Sequence, residues 1–211
     1  NITIGSPSPI VVQTMCNTHT SDVEASVQQC VRLAEAGAQL IRLTVPSMAQ
    51  VESIKEIKSR LVDMGIDTPL VADVHFSSEI AIAVAEVVEK VRINPGNIGG
   101  EDRIRYVADC IKAHHIPVRV GANTGSIEKN FLKQYGRSAE ALVQSALYNV
   151  GILQKFGVDD IVISVKASDV KLTVDAYMLL ANCCNYPLHL GVTEAGTTEA
   201  GIVKSAVGIG S

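Results

Sequence analysis

Hydrophobic positions along the chain follow two alternating rhythms. Seven short apolar runs, at residues 10–15, 40–45, 70–74, 91–93, 117–120, 160–165 and 188–192, are each bounded by Gly, Pro or polar residues. Between them the apolar residues recur at helical spacing. Val23, Val27, Val31 and Ala34 share one face, with Asp22 placed to cap the helix start, and Leu142, Ala146, Val150 and Leu153 repeat the pattern. The runs therefore predict strands and the stretches between them helices. The unit returns roughly every 20 to 45 residues, the signature of successive βαβ crossovers and a parallel sheet. Seven units favour a barrel over an open doubly wound sheet. The expected fold is α/β, a TIM-type (β/α)₈ barrel truncated to about seven units, because a full barrel takes about 250 residues. The eighth strand is expected to be missing, which leaves strands one and seven with open edges.

Composition narrows this picture. No linker or shift in composition divides the 211 residues, so one incomplete barrel domain over 1–211 is expected. The apolar share is 47% and the charged share 19%, below the usual figure of about 25%, with no tryptophan. Such strands are expected to be buried on both faces. A net charge of -4 gives no general attraction to nucleic acid or to an anionic membrane. The longest apolar runs fall far short of the roughly 20 residues of a membrane span, and the start lacks a signal-peptide pattern. With no initiator Met and a helical pattern running up to Ser211, the sequence is expected to be a piece of a longer chain. Five cysteines, Cys16, Cys30, Cys110, Cys183 and Cys184, show irregular spacing and no C-x-x-C. Neither a disulfide framework nor a metal or iron–sulfur site made by this chain alone is expected, and the thiols read as reduced and cytoplasmic.

Chemistry is expected at the C-terminal ends of barrel strands. There the sequence places Arg42 on strand two, Asp73 and His75 on strand three, and Arg92 and Asn94 on strand four. Strand five carries Arg119 and Asn123, strand six Ser164 and Lys166, and strand seven His189 followed by Glu194. Residues two apart share a strand face, so Asp73 with His75, Arg92 with Asn94 and Ser164 with Lys166 point the same way. Arginines inside apolar runs are costly to bury without a counter-ion. Three of them with Lys166 at one mouth call for an anion, and guanidinium suits bidentate phosphate contact. Other readings stay open: a single arginine paired with a core carboxylate, or a divalent-metal site from Asp73, His75, His189 and Glu194. Glu194 reads as an acid–base group or as the partner of Lys166 or an arginine.

Longer stretches at these strand ends carry a family resemblance. Val71-Ala72-Asp73-Val74-His75-Phe76, Arg92-Ile93-Asn94-Pro95-Gly96-Asn97-Ile98-Gly99, Ser164-Val165-Lys166-Ala167-Ser168-Asp169 and Pro187-Leu188-His189-Leu190-Gly191-Val192-Thr193-Glu194-Ala195-Gly196 resemble the 4-hydroxy-3-methylbut-2-enyl diphosphate synthases. The barrel is also similar to that of dihydropteroate synthases. The resemblance implies reductive ring opening of 2-C-methyl-D-erythritol 2,4-cyclodiphosphate in isoprenoid biosynthesis, with electrons from flavodoxin or ferredoxin through a [4Fe-4S] cluster. It implies that Arg42, Arg92, Arg119 and Lys166 hold the diphosphate, with Asn123 and Ser164 nearby. Asp73, His75, Asn94 and Glu194 would orient the carbon skeleton or move protons. The cluster ligands of the family lie in a further C-terminal domain, none of the five cysteines here matches one, and the fragment alone is expected to be inactive. In the family homodimer that domain caps the partner's barrel. The competing readings are a pterin-binding transferase and a non-catalytic phosphate-binding barrel.

Overall fold

The structure, a computed structural model, describes residues 2–211. Six strands, β1 (Gln13–Met15), β2 (Leu40–Thr44), β3 (Leu70–Asp73), β4 (Lys90–Ile93), β5 (Val118–Asn123) and β6 (Ile161–Lys166), form one parallel sheet in chain order. The helices are α1 (Val23–Glu35), α2 (Met48–Asp63), α3 (Ser78–Ala85), α4 (Glu101–His114), α5 (Lys129–Tyr135), α6 (Ala139–Gln154), α7 (Val170–Cys183) and α8 (Thr198–Gly210). A 3-10 turn, Pro95–Asn97, follows β4. Sequential parallel pairing with a helix after each strand is the βαβ arrangement that the periodicity predicts. Among the described residues no helix is long and apolar enough to cross a membrane.

Local chemistry sets the helix starts. The Asp22 carboxylate accepts the Ala25 N–H at 3.0 Å, and Ser77, Ser138 and Asp169 cap α3, α6 and α7 in the same way. Each satisfies an amide that the first helical turn leaves without a partner. The short α5 buries no residue, which is why the hydrophobic pattern does not announce it.

The seventh strand is a correction. Only one bridge, Ile163 with Leu188, is formed in the run 188–192. Ile163 N–H donates to the Pro187 carbonyl at 3.0 Å, His189 N–H to Ile163 at 2.8 Å, and Thr193 N–H to Ala167 at 3.1 Å. Pro187 has no N–H to give, and the run has a pairing partner on one side only, so three bonds take the place of a ladder.

Strand alternation separates two faces. Ile41, Leu43, Val91, Ile93, Val120 and Ile163 turn toward the helices and join a core with Val27, Ile54, Val107, Leu142 and Leu180. The opposite, concave face is ionic. The register sets Thr44 beside Asp73, Asp73 beside Arg92, Arg92 beside Arg119, Gly121 beside Ser164 and Asn123 beside Lys166. Both faces are buried, as the composition suggests, but the inner one is filled by charge rather than by Val and Ile.

Candidate functional site

Asp73 is the hub of the concave face and is only 4% exposed. Its Oδ1 accepts from Arg92 Nη1 at 3.0 Å, and its Oδ2 lies 3.6 Å from Arg42 Nε. His75 Nε2 lies 3.8 Å from Oδ1. Arg42 also points Nη2 and Nε at the Met15 sulfur, at 2.7 and 3.1 Å, a weak acceptor. Arg92 Nη2 donates to the Gly121 carbonyl at 3.2 Å, and Arg119 Nη1 reaches Ser164 Oγ at 3.4 Å. One carboxylate thus serves two guanidiniums, while Arg119 and Lys166 form no ion pair among the described residues.

Several donors on this surface have no partner. Arg92 Nε, Arg119 Nε and both polar atoms of Asn94 are buried with no hydrogen bond. Buried polar atoms are normally satisfied, so each of these is left able to bond a ligand or a water. The charge excess shows in the titration of the surrounding bases. Burial, then Arg119, Arg42 and Arg92, push the Lys166 ammonium down to about 7, against the opposing pull of Asp73. Burial and the two neighbouring guanidiniums also push Arg119 below the ordinary arginine range, although guanidinium remains charged in proteins. His75 is lowered by burial and by the three arginines, against the pull of Asp73, and His189 is lowered by burial, Arg119 and Lys166. Both imidazoles are neutral near pH 7.

Two glycines make room for this charge. A Cβ on Gly121 would lie 2.8 Å from Arg92 Nε and 3.1 Å from Ser164 Oγ. A Cβ on Gly191 would lie 2.8 Å from Lys166 Nζ. Lys90, two residues before Arg92 and so on the same strand face, adds a fifth cation at 2% exposure. Burial and Arg119 hold it down to about 8. The spacing to Arg92 is the signal in the sequence that would have found it.

The expected residues divide into groups. Arg42, Asp73, Arg92, Arg119, Ser164 and Lys166 share the concave surface, with Asn94 and Asn123 at its strand ends. His75 stands half-exposed at the rim. Glu194 is exposed, with φ 49°, and pairs with neither Lys166 nor an arginine. Asp73, His75, His189 and Glu194 do not converge as a metal site. Among the described residues no group of three His, Cys, Asp or Glu side chains could hold an ion.

The cysteines do not fit a cluster either. Cys16 and Cys30 meet in the core at 3.6 Å, Cys110 sits on α4, and Cys183 and Cys184 end α7. A [4Fe-4S] cluster needs several converging thiolates, and these five are scattered.

The GcpE TIM-barrel domain model matches residues 1–211. The chain belongs to the GcpE TIM-barrel family. It is 46% identical over 213 residues to the 4-hydroxy-3-methylbut-2-en-1-yl diphosphate synthase (flavodoxin) of Fusobacterium nucleatum. It is 51% identical over 212 residues to the proteins of that name from Histophilus somni strain 2336 and Haemophilus influenzae strain PittEE. Each match covers 100% of the chain but only 59%, 56% and 60% of the respective relative, so this GcpE barrel spans a little over half of their length. In fold it is similar to a truncated 3-deoxy-D-arabino-heptulosonate 7-phosphate synthase of Thermotoga maritima, with TM-score 0.70 and 13% identity over 100% of the chain and 74% of that structure. A dihydropteroate synthase from Clostridium difficile matches with TM-score 0.66 and 13% identity, over 99% and 89%. At that identity the likeness is one of fold. The TIM-type barrel expected from the strand rhythm is the architecture these structures share.

Proposed function

We propose that this GcpE barrel is the substrate-holding domain of a 4-hydroxy-3-methylbut-2-enyl diphosphate synthase. In this reading the substrate is 2-C-methyl-D-erythritol 2,4-cyclodiphosphate, and the product of its reductive ring opening is an isoprenoid precursor. The observation that carries the reading is the concave surface itself: four buried or half-buried cations, Arg42, Arg92, Arg119 and Lys166, around one carboxylate, with orphaned guanidinium and amide atoms. A diphosphate supplies the missing negative charge and the missing acceptors together.

The assignment of roles follows the geometry. Arg42, Arg92, Arg119 and Lys166 hold the diphosphate, and Asn123 and Ser164 add neutral donors at its edge. Asn94, with both amide atoms free, takes a hydrogen bond in each direction, which suits a bridging oxygen and a hydroxyl. Asp73 keeps Arg42 and Arg92 splayed and oriented. The neutral His75 at the rim, and Glu194 on the loop after the 188–192 run, orient the carbon skeleton or exchange protons with it.

The electrons of the reductive step come from a [4Fe-4S] cluster whose ligands lie outside residues 1–211. Flavodoxin, which forms part of the relatives' names, is the proposed donor, with ferredoxin as the alternative. The whole protein is proposed to act as a cytoplasmic homodimer. The test is calorimetric titration of the full-length protein with the cyclodiphosphate, repeated with Arg119→Ala. Loss of one charge-assisted contact should weaken binding by about tenfold or more. Binding unchanged by the substitution would move the diphosphate off the arginine row.

A further inference from the structure

The turn after β4 and the loop after β5 are tied together by a single buried amide. Asn149, on α6 and 1% exposed, accepts the Gly96 N–H on Oδ1 at 2.6 Å. Its Nδ2 donates to Glu128 Oε1 at 2.8 Å and to the Ser145 carbonyl at 2.8 Å. Both amide hydrogens and the oxygen are thus engaged. The orientation is dictated, because a flipped amide would set its NH₂ against the Gly96 N–H and its oxygen against two acceptors.

What the amide joins matters more than the amide itself. Gly96 lies two residues after Asn94, whose Oδ1 and Nδ2 are buried without partners. A Cβ at Gly96 would lie 3.0 Å from Asn149 Oδ1 and 3.2 Å from Glu128 Oε1, so the backbone comes this close only with glycine there. Glu128 closes the loop that begins at Asn123. That loop braces itself: Asn123 Oδ1 accepts the Gly125 N–H at 2.9 Å, and Ser126 Oγ accepts the Asn123 N–H at 3.0 Å. At its start the loop is anchored by the sheet, where Asn123 ends β5 beside Lys166. The contact from Asn149 to Glu128 ties the far end of the loop to the β4 turn.

We propose that Asn149, with Glu128 as its partner, is a positioning residue that holds Asn94 and Asn123 in mutual register for the ligand. This rests on the diphosphate reading above. Neither side chain belongs to the inner row of the barrel, and both act through the backbone they hold. Only a neutral amide serves: a carboxylate at 149 would still accept from Gly96 but would turn an oxygen toward Glu128 and the Ser145 carbonyl.

Inorganic pyrophosphate titration and hydrogen–deuterium exchange on the full-length protein test this together. Asn149→Asp should weaken pyrophosphate by about 3–10-fold and speed exchange at residues 93–98 and 123–128. Adding Glu128→Gln returns a donor to face the new carboxylate and should recover most of the affinity, a rescue that general destabilisation would not give. Should Asn149→Asp fail to fold, Glu128→Ala removes the same link from its other end and should show both effects. Folded variants with wild-type affinity and exchange would overturn the positioning role while leaving the diphosphate site standing. So would an affinity loss that the second substitution leaves unchanged. A wild-type protein that ignores pyrophosphate and the cyclodiphosphate alike would sink the diphosphate reading, and this proposal with it.

Discussion

Arg92 Nη1 meets Asp73 Oδ1 at 3.0 Å where both side chains are under 10% exposed, and among the described residues no second carboxylate reaches Arg92. The pair sits on adjacent strands at matched register. Arg42 shares the same carboxylate at 3.6 Å. This part of the concave surface is therefore held by one carboxylate that two guanidiniums share.

Asp73→Asn should separate folding from binding. Removing one partner of a buried pair leaves uncompensated charge and costs about 3–5 kcal/mol. The apo protein should melt lower, whereas inorganic pyrophosphate should bind roughly tenfold tighter, because it no longer competes with a fixed carboxylate. Thermal scans with and without pyrophosphate give both quantities. A variant destabilised equally with and without ligand would show that Asp73 does not face the anion.

Binding of the cyclodiphosphate should weaken as pH rises through neutrality. Lys166 titrates near 7, because burial and three guanidiniums disfavour its charge. A bound anion favours the ammonium and raises that value, so above about pH 7 binding must take up a proton. Affinity is then greatest below the apo value and falls by at most about tenfold per pH unit above it. The cyclic diphosphate has no titrating group of its own in this window. Calorimetry from pH 6.5 to 9 should show the slope, and Lys166→Met should flatten it; a pH-independent wild type would place Lys166 outside the anion's reach.

How much of this was readable beforehand differs from residue to residue. Arg92 and Asn94 were legible because polar groups two apart at the end of an apolar run share a strand face at the barrel mouth. Lys90 was overlooked although its two-residue step to Arg92 was there to be used, since a lysine at the head of such a run looks like a solvent-facing boundary. The register with β3 confirms that it lies inside. Asn149 hides on a helix whose Leu142, Ala146 and Val150 declare a buried stripe, and nothing local says that one polar member reaches another strand's turn. Gly121 and Gly191 read as loosened strand positions, because the side chains they accommodate are 29 and 25 residues away in sequence. The 188–192 run has strand composition, yet pairing depends on neighbours that its own residues cannot supply.

Gly121→Ala should damage the site more than the fold. The new methyl would press on Arg92 Nε at 2.8 Å and Ser164 Oγ at 3.1 Å, both enclosed. Overpacking of this kind costs about 1–3 kcal/mol. The guanidinium can yield only by leaving Asp73 or the Gly121 carbonyl, so the cyclodiphosphate affinity should drop by about tenfold. Melting and titration of the same preparation check this. Unchanged affinity with a lowered melting point would mean that Arg92 does not contact the ligand.

Lys90→Met should stabilise the protein, and by an amount that depends on pH. Lys90 is buried with no ion pair among the described residues, and burial and Arg119 bring it from 10.5 to about 8. The unfolded chain therefore binds more protons between about pH 8 and 10.5, and wild-type stability rises with pH across that window. Below pH 8 the full penalty of a buried ammonium is present, at most about 3 kcal/mol. Methionine keeps most of the shape and removes the charge. The variant should melt higher than wild type at pH 7, and the difference should shrink steadily toward pH 10. A difference that stays constant with pH would assign the effect to packing, and a destabilised variant would mean that the Lys90 ammonium has a partner which its surroundings in the barrel do not supply.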